Sequence, residues 1–434
     1  MLAIRAGGDR CRALQRGTQS IGRSSPKVSS TLRTIPGCWL LLLAAGLPAM
    51  AALAAPKPKV VIAGGGVIGC STAYFLAKEH GIGCTIVDRK GVAAAASGRA
   101  GGFLARDWND GSATERLTRR SFDLHARLGD ELAPWGPTDY RRLTCAAVAA
   151  REGDALRPPS NAKLEHVEWA DGGVLGARPM GDESTIAQVH PRKLCEALVA
   201  GARELAGAAV VDGVAAGLAL DAGGSVVGLQ LQDGSTLDAD AVVLCMGPWS
   251  HALGRPATEP LGLRGAEDET GWGLAGLPPV VGTKYHAVLL QSPRVLNQAV
   301  FFQGLGDPEV YPRGDGETYV TGFPDPPAVV RDLPGETEVR ADVTDRLVAA
   351  MNVVSSDLRN ARVNHRQACH LPTAPDGVPV VGAVPGRRGA FVGTGHGCWG
   401  ILLGPATGEA LANLVATGDA KTLDLRNFDP ARFC

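Results

Sequence analysis

No excess of one charge sign marks this chain. Its 43 basic side chains are balanced by 44 acidic ones, for a formal net charge of -1. The basic footprint of a dedicated nucleic-acid binder is therefore missing, and small-molecule partners are expected instead. Paired cysteines are missing too: none of the ten forms a C-x-x-C pair. Neither a zinc site nor a disulfide scaffold is indicated, no metal is expected, and scattered, mostly buried thiols are the simplest account. Long biased tracts are lacking, which with 45% hydrophobic residues excludes global disorder. Glycine, by contrast, is abundant at 57 of 434 residues, in a chain long enough for about two to three domains.

The amino terminus stands apart. Residues 1–37 hold seven basic side chains against one acid, Asp9, with Ser and Thr between them. An apolar run, CWLLLLAAGLPAMAALAA, follows from Cys38 to Ala55 and closes on small residues. A membrane anchor needs about 20 apolar residues, and this run is marginal in length and broken by Gly46 and Pro48. A simple secretory signal places its apolar region earlier. A basic, Ser-rich leader with a late cleavable segment fits organelle import best, chloroplast before mitochondrion, with a thylakoid-lumen route as one form of it. Membrane contact is expected only if the 38–55 segment is retained.

Chemistry begins directly after this leader. Val60-Val61-Ile62-Ala63 is a continuous apolar run, as in a strand buried on both faces of a parallel sheet. Gly64-Gly65-Gly66-Val67-Ile68-Gly69 follows, a G-x-G-x-x-G that opens a helical stretch ending at Gly81. A second strand, Cys84 to Val87, ends in Asp88 and Arg89. Gly64 suits the tight turn, Gly66 the approach of a pyrophosphate, and Gly69 close helix-strand packing. The helix amino terminus at Val67 and Ile68 offers free N–H groups and a partial positive charge to phosphate, and Asp88 suits ribose hydroxyls. Tight structural turning is the blander account of the glycines.

The fingerprint alone does not separate NAD from FAD. The next stretch, RKGVAAAASGRAGGFLA, leaves backbone N–H groups unshielded at Ser97, Gly98, Gly101 and Gly102, where a pyrophosphate and a flat ring can lie; a plain flexible loop is an equal reading. Farther on, AAVVDGVAAGLAL, SVVGLQLQDG and TLDADAVVLCMG carry strand signals separated by turns. They suggest a three-stranded crossover, with Val214 facing an adenine, Ala241 to Met246 returning to the parallel sheet, and Gly247-Pro248-Trp249 at its ligand-binding end. Near the carboxyl terminus, a strand from Ala390 to Gly393 leads into Gly395-His396-Gly397, then Gly400-Ile401 and a helix expected to begin near Pro405. Such a loop can hold the pyrimidine edge of a flavin and stabilise its charge on reduction.

Together GGGVIG with its acid, ASGRAGGFLA, VVLCMGPWS and PDGVPVVG…GTGHGCWGI…PATG resemble the D-amino-acid oxidase, glycine oxidase and sarcosine oxidase superfamily of FAD-dependent oxidoreductases, from about Lys57 to the end. HGCWGILLGPATG and DPEVYPRGDGETYVTG resemble most a eukaryotic branch of it. The resemblance implies an α/β fold with a Rossmann-like doubly wound FAD-binding domain (57–105, 184–250 and 363–434, after a leader over 1–56). A second α+β substrate domain of mixed or antiparallel sheet would comprise 106–183 and 251–362. The chemistry it implies is hydride transfer from a carbon beside an amine nitrogen to flavin N5, with oxygen or another acceptor taking the electrons.

Three departures bear on the substrate. Glycine-oxidase-like members resemble R-P-x-T-x-D-G where this chain has Leu371, so the usual carboxylate clamp is missing unless a residue such as Arg313 replaces it. Sarcosine oxidases use a lysine over the flavin for oxygen, yet none occurs between Lys284 and Lys421. Cys369 stands seven residues before Asp376, resembling the spacing of a flavin-linked cysteine. His396, Tyr311 and Arg313 are candidate catalytic residues; Tyr311 and Arg313 can equally pin a sheet, and His396 can simply sit near the flavin. Cys398 and Trp399 read as packing, and 336–358 as a surface helix. Two further readings are a flavoprotein scaffold with a binding or trafficking role, and a dehydrogenase passing electrons to a carrier.

Overall fold

The computed structural model describes residues 56–150, 165–253 and 277–434. The leader, its apolar run and the import route read from them lie outside the described residues. Among those described, no helix is long and apolar enough to cross a membrane.

The apolar strand Val60–Ala63 is buried throughout and lies between Cys84–Asp88 and Ala241–Leu244, parallel to both. Ala209–Asp212 extends the sheet beyond Cys84–Asp88, and Ala390–Thr394 beyond Ala241–Leu244. Val380–Ala383 adds an antiparallel edge. Alternation along the central strand then sorts the faces. Val60 and Ile62 pack with helices α1 (Val67–His80), α3 (Pro191–Ala206) and α5 (Gly400–Thr417), between which α2 spans Glu115–Glu131 and α4 Ala341–Val354 in the chain. Val61 and Ala63 pack instead against Ala215, Leu229 and Leu231 of a three-stranded antiparallel meander. Small residues let α1 approach α5 closely: a Cβ on Gly408 would lie 2.4 Å from the Ser71 Cβ.

The stretch AAVVDGVAAGLAL is two strands where the sequence suggests one. It breaks at Gly213-Val214: Ala209–Asp212 joins the parallel sheet, and Ala215–Leu220 starts the meander with Val226–Leu231 and Thr236–Asp238. The Gly213 N–H donates to the Asp88 carbonyl at 3.1 Å, which pins the break beside the end of the second parallel strand.

α5 also corrects the sequence reading. It begins at Gly400, so Pro405 sits inside the helix. Proline has no N–H for the Ile401 carbonyl. The buried His125 of α2 supplies one instead, through Nε2 at 2.9 Å, and Ser121 of the same helix accepts the Ala406 N–H at 3.1 Å. The proline is tolerated because a neighbouring helix meets the groups it disturbs.

A seven-stranded, mainly antiparallel sheet carries the rest: Val363–Thr373, Val281–Gln291, Glu317–Gly322, Glu309–Pro312, Gln298–Gln303, Thr144–Ala150 and Val174–Gly181, in that spatial order. Its strand Val363–Thr373 pairs with Val281–Leu290 along its length, so the sheet runs past residue 362, where the sequence reading ends the second domain. One face, including Val288, Val300, Val310 and Val320, packs on Leu347, Met351 and Val354 of α4. That helix is shorter than the expected 336–358 and buries one side; Glu336 lies outside it and pairs with Arg89 and Lys90. A small sheet of Phe103–Ala105, Ile186–Gln188 and Arg141–Arg142 completes the strands discussed.

Candidate cofactor and active site

A cavity of about 1210 Å3, its mouth included, opens at the carboxyl ends of the parallel strands. This is where ligands of open α/β sheets bind. Gly64, Gly66, Val67 and Ile68 line it from the first turn, Asp88 and Arg89 from the end of the second strand, and Ser97 from the following loop. Val214 enters from the break before the meander, Gly247 and Trp249 from the end of Ala241–Leu244, and His396, Gly397, Gly400 and Ile401 from the start of α5. Sequence positions more than 300 residues apart thus meet around one space, Gly64 and Ile401 among them.

The first turn is held open by backbone geometry. Gly64 has φ +111°, and a Cβ there would lie 2.3 Å from the Cys245 carbonyl oxygen. Gly66 is different: its φ is -77°, and a Cβ would meet only the Ser97 hydroxyl, at 3.1 Å. The Val67 N–H donates to that hydroxyl at 2.9 Å, and the first turn of α1 has no acidic side chain to compete with an anion. Asp88 accepts from the Gly65 N–H at 2.8 Å and the Lys90 N–H at 3.0 Å, so it ties two loops together at the cavity edge. Burial raises its carboxyl against those lowering hydrogen bonds. Each carboxylate oxygen retains acceptor capacity for a hydroxyl.

Other expected residues shape this space from behind. Gly69, Gly98, Gly101, Gly102 and Gly395 are not among the lining residues. A Cβ on Gly69 would lie 2.0 Å from the Gly64 carbonyl oxygen, on Gly98 1.9 Å from that of Ala93, and on Gly102 2.0 Å from that of Val189. Gly101 backs onto the Tyr311 ring, and Gly395 onto Ala374. One lining residue, Pro334, carried no sequence signal. Pro334 arrives from a loop whose neighbour Glu336 is tied to Arg89 at 2.9 Å, a long-range pairing that no local pattern announces.

The three candidate catalytic residues fare differently. His396 lines the cavity, and burial pushes its imidazole down to about 3, so it is neutral; Nε2 lies 3.0 Å from the Thr407 hydroxyl. Arg313 does not line the cavity. Its guanidinium pairs with Glu317 at 3.1 Å and donates to the Ala100 carbonyl at 3.3 Å, so it is committed to the sheet rather than standing in for a carboxylate clamp. Tyr311 is buried outside the lining as well, with its hydroxyl donating to Glu309. Cys369 is buried, is not among the lining residues, and its thiol is pushed up to about 11 by burial. Leu371 lines the cavity where the resemblance would place an arginine. No metal-holding cluster of acidic, His or Cys residues occurs among the described residues.

The apolar, glycine-rooted space, its helix amino terminus and its half-buried acid fit a dinucleotide that carries a flat ring. Comparisons with known proteins agree. A family profile described as FAD dependent oxidoreductase matches residues 59–414. A Schizosaccharomyces pombe protein named as an oxidoreductase is 30% identical over 401 residues, covering 86% of this chain and 97% of its own. Glycine oxidase of Pseudomonas putida is 27% identical over 390 residues, covering 86% and 98%. Among solved structures, glycine oxidase from Geobacillus kaustophilus superposes with a TM-score of 0.67 at 24% identity, covering 87% and 99%.

Proposed function

Since the chain belongs to the DAO family of FAD dependent oxidoreductases, we propose that it oxidises a small amine, imino or amino-acid-like compound at the carbon beside nitrogen. The observation that carries the proposal is the cavity itself, where the fingerprint turn, Asp88 and the His396-to-Ile401 loop converge. FAD, when bound, supplies the hydride acceptor. In this reading the first turn of α1 receives the pyrophosphate, Asp88 the ribose hydroxyls, and Val214 borders the adenine. Gly397, Gly400 and Ile401 border the flavin, with the α5 amino terminus stabilising charge on its pyrimidine edge. His396, neutral and tied to Thr407, shapes that edge without carrying a proton at neutral pH. The surrounding apolar wall excludes water from the reacting carbon.

A second reading concerns the acceptor. Among the described residues no lysine lines the cavity, and Arg89, the one Arg in that lining, is paired with Glu336. That favours transfer of electrons to a carrier over rapid reaction with oxygen. Anaerobic addition of a panel of amines and amino acids to the purified protein tests the main proposal: at least one compound should bleach the flavin spectrum. Failure of every compound would move weight to a scaffold role. With the active compound in hand, dye reduction outpacing peroxide formation would identify the carrier-linked form.

A further inference from the structure

The face of the seven-stranded sheet opposite α4 carries a cluster that the cofactor reading leaves unused. Phe103, Trp108, Phe301, Tyr311 and Trp399 pack together, with ring centroids 5.2 Å apart for Phe103 and Tyr311, 5.6 Å for Phe301 and Tyr311, and 6.2 Å for Trp108 and Trp399. Strand alternation puts Glu309 on the same face as Tyr311, opposite Phe301 on the neighbouring strand. Phe301, Trp108, Trp399 and Glu309 are each partly exposed, so the cluster has an open side. It borders the cavity at two points. Cys398 of the cavity wall directly precedes Trp399, and Ala100 precedes Gly101, whose missing Cβ would lie 2.2 Å from the Tyr311 ring.

Two carboxylates lie in this region, and they are treated differently. Glu317 is neutralised by Arg313 at 3.1 Å. Glu309 accepts the Tyr311 hydroxyl, and no described Lys or Arg pairs with it. A carboxylate set among aromatic rings is costly to keep charged, because burial penalises its charge; burial raises this carboxyl above its ordinary range, against the lowering hydrogen bond from Tyr311. Rings present their negative faces to a cation, and a carboxylate completes such a site. The wall position where the resemblance would place a carboxylate-binding arginine is, in contrast, uncharged: it is Leu371.

Resting on the proposed amine oxidation, we infer that Glu309 and its aromatic surround form the amine subsite, and that the substrate is a cationic amine lacking a carboxylate. The Glu309 carboxylate then takes the ammonium proton. The N–H bond breaks, its electron pair stays on nitrogen, an O–H bond forms on the carboxyl, and the amine is left as the free base from which hydride can depart.

Calorimetric titration of the purified protein with choline, its uncharged isostere 3,3-dimethylbutanol and the zwitterion glycine betaine tests this without turnover. Choline should bind at least about tenfold tighter than either, and Glu309→Gln should remove that preference while FAD content and melting temperature stay near those of the parent. Equal affinity for choline and its isostere, no binding of choline, a preference that survives Glu309→Gln, or betaine binding as tightly as choline would each overturn the inference. FAD content is read on the same samples. Flavin-replete protein with no cation preference refutes the subsite alone, whereas folded protein without flavin refutes the cofactor reading, and the titration needs no flavin to decide the subsite.

Discussion

At the residue scale, Gly66 and Asp88 divide the work of the first turn. Gly66 has ordinary backbone angles and one side-chain neighbour, so Gly66→Val should leave the fold intact while its side chain enters the cavity. The expected product is a folded, colourless protein; full flavin content in that variant would contradict the assignment of the turn to the pyrophosphate. Asp88→Ala removes both an acceptor for the cofactor and the tie between Gly65 and Lys90. FAD affinity should fall by about 1–3 kcal/mol, with a lowered melting temperature in the flavin-free protein as well, measurable by titration and by thermal denaturation. That double role separates it from a residue that touches only ligand.

Helices α2 and α5 supply the test at the scale of elements. His125 donates to the Ile401 carbonyl that Pro405 leaves without a partner, and Ile401 lines the cavity. His125→Ala should therefore destabilise the protein by about 1–3 kcal/mol and loosen the flavin end of the site, seen as weaker FAD retention at unchanged turn geometry near Gly66. Burial lowers this imidazole to about 4, so the fold holds it neutral while the unfolded chain protonates it near its ordinary value of 6.5. The unfolded state then binds more protons between those values, and stability falls as pH drops through that window. The slope from His125 is at most about 1.4 kcal/mol per pH unit. Denaturant titrations from pH 7 to pH 4 should show a shallower fall in His125→Ala than in the parent. The helix boundary itself shows why sequence reading stopped short: proline marks a first turn locally, and only the distant His125 and Ser121 make an internal proline acceptable.

Across the whole molecule, the FAD half was legible because its signals are local. Strand, glycine turn, helix and terminal acid follow one another from Val60 to Asp88, and each constrains the next. The second sheet was far less so. Val363–Thr373 looks continuous with the carboxyl-terminal motif but pairs with Val281–Leu290, and periodicity cannot reveal a partner some 80 residues away. Arg313 stayed open for the same reason: beside Tyr311 on an alternating strand it suits a pocket or a sheet pin equally, and only the distant Ala100 carbonyl, with Glu317, shows it held to the sheet. For the leader, we propose chloroplast import directed by residues 1–56. Fused to a fluorescent protein, this segment should carry it into the organelle in plant cells, and uniform cytosolic fluorescence would refute the proposal.

We propose that the cavity holds FAD non-covalently, because Cys369 is buried outside its lining. An absorbance spectrum of the purified protein before and after acid precipitation tests it most directly. The account predicts a yellow protein whose flavin passes into the supernatant. Colour retained in the pellet would contradict the non-covalent assignment and implicate Cys369, and a folded protein with no flavin absorbance would contradict the cofactor reading itself.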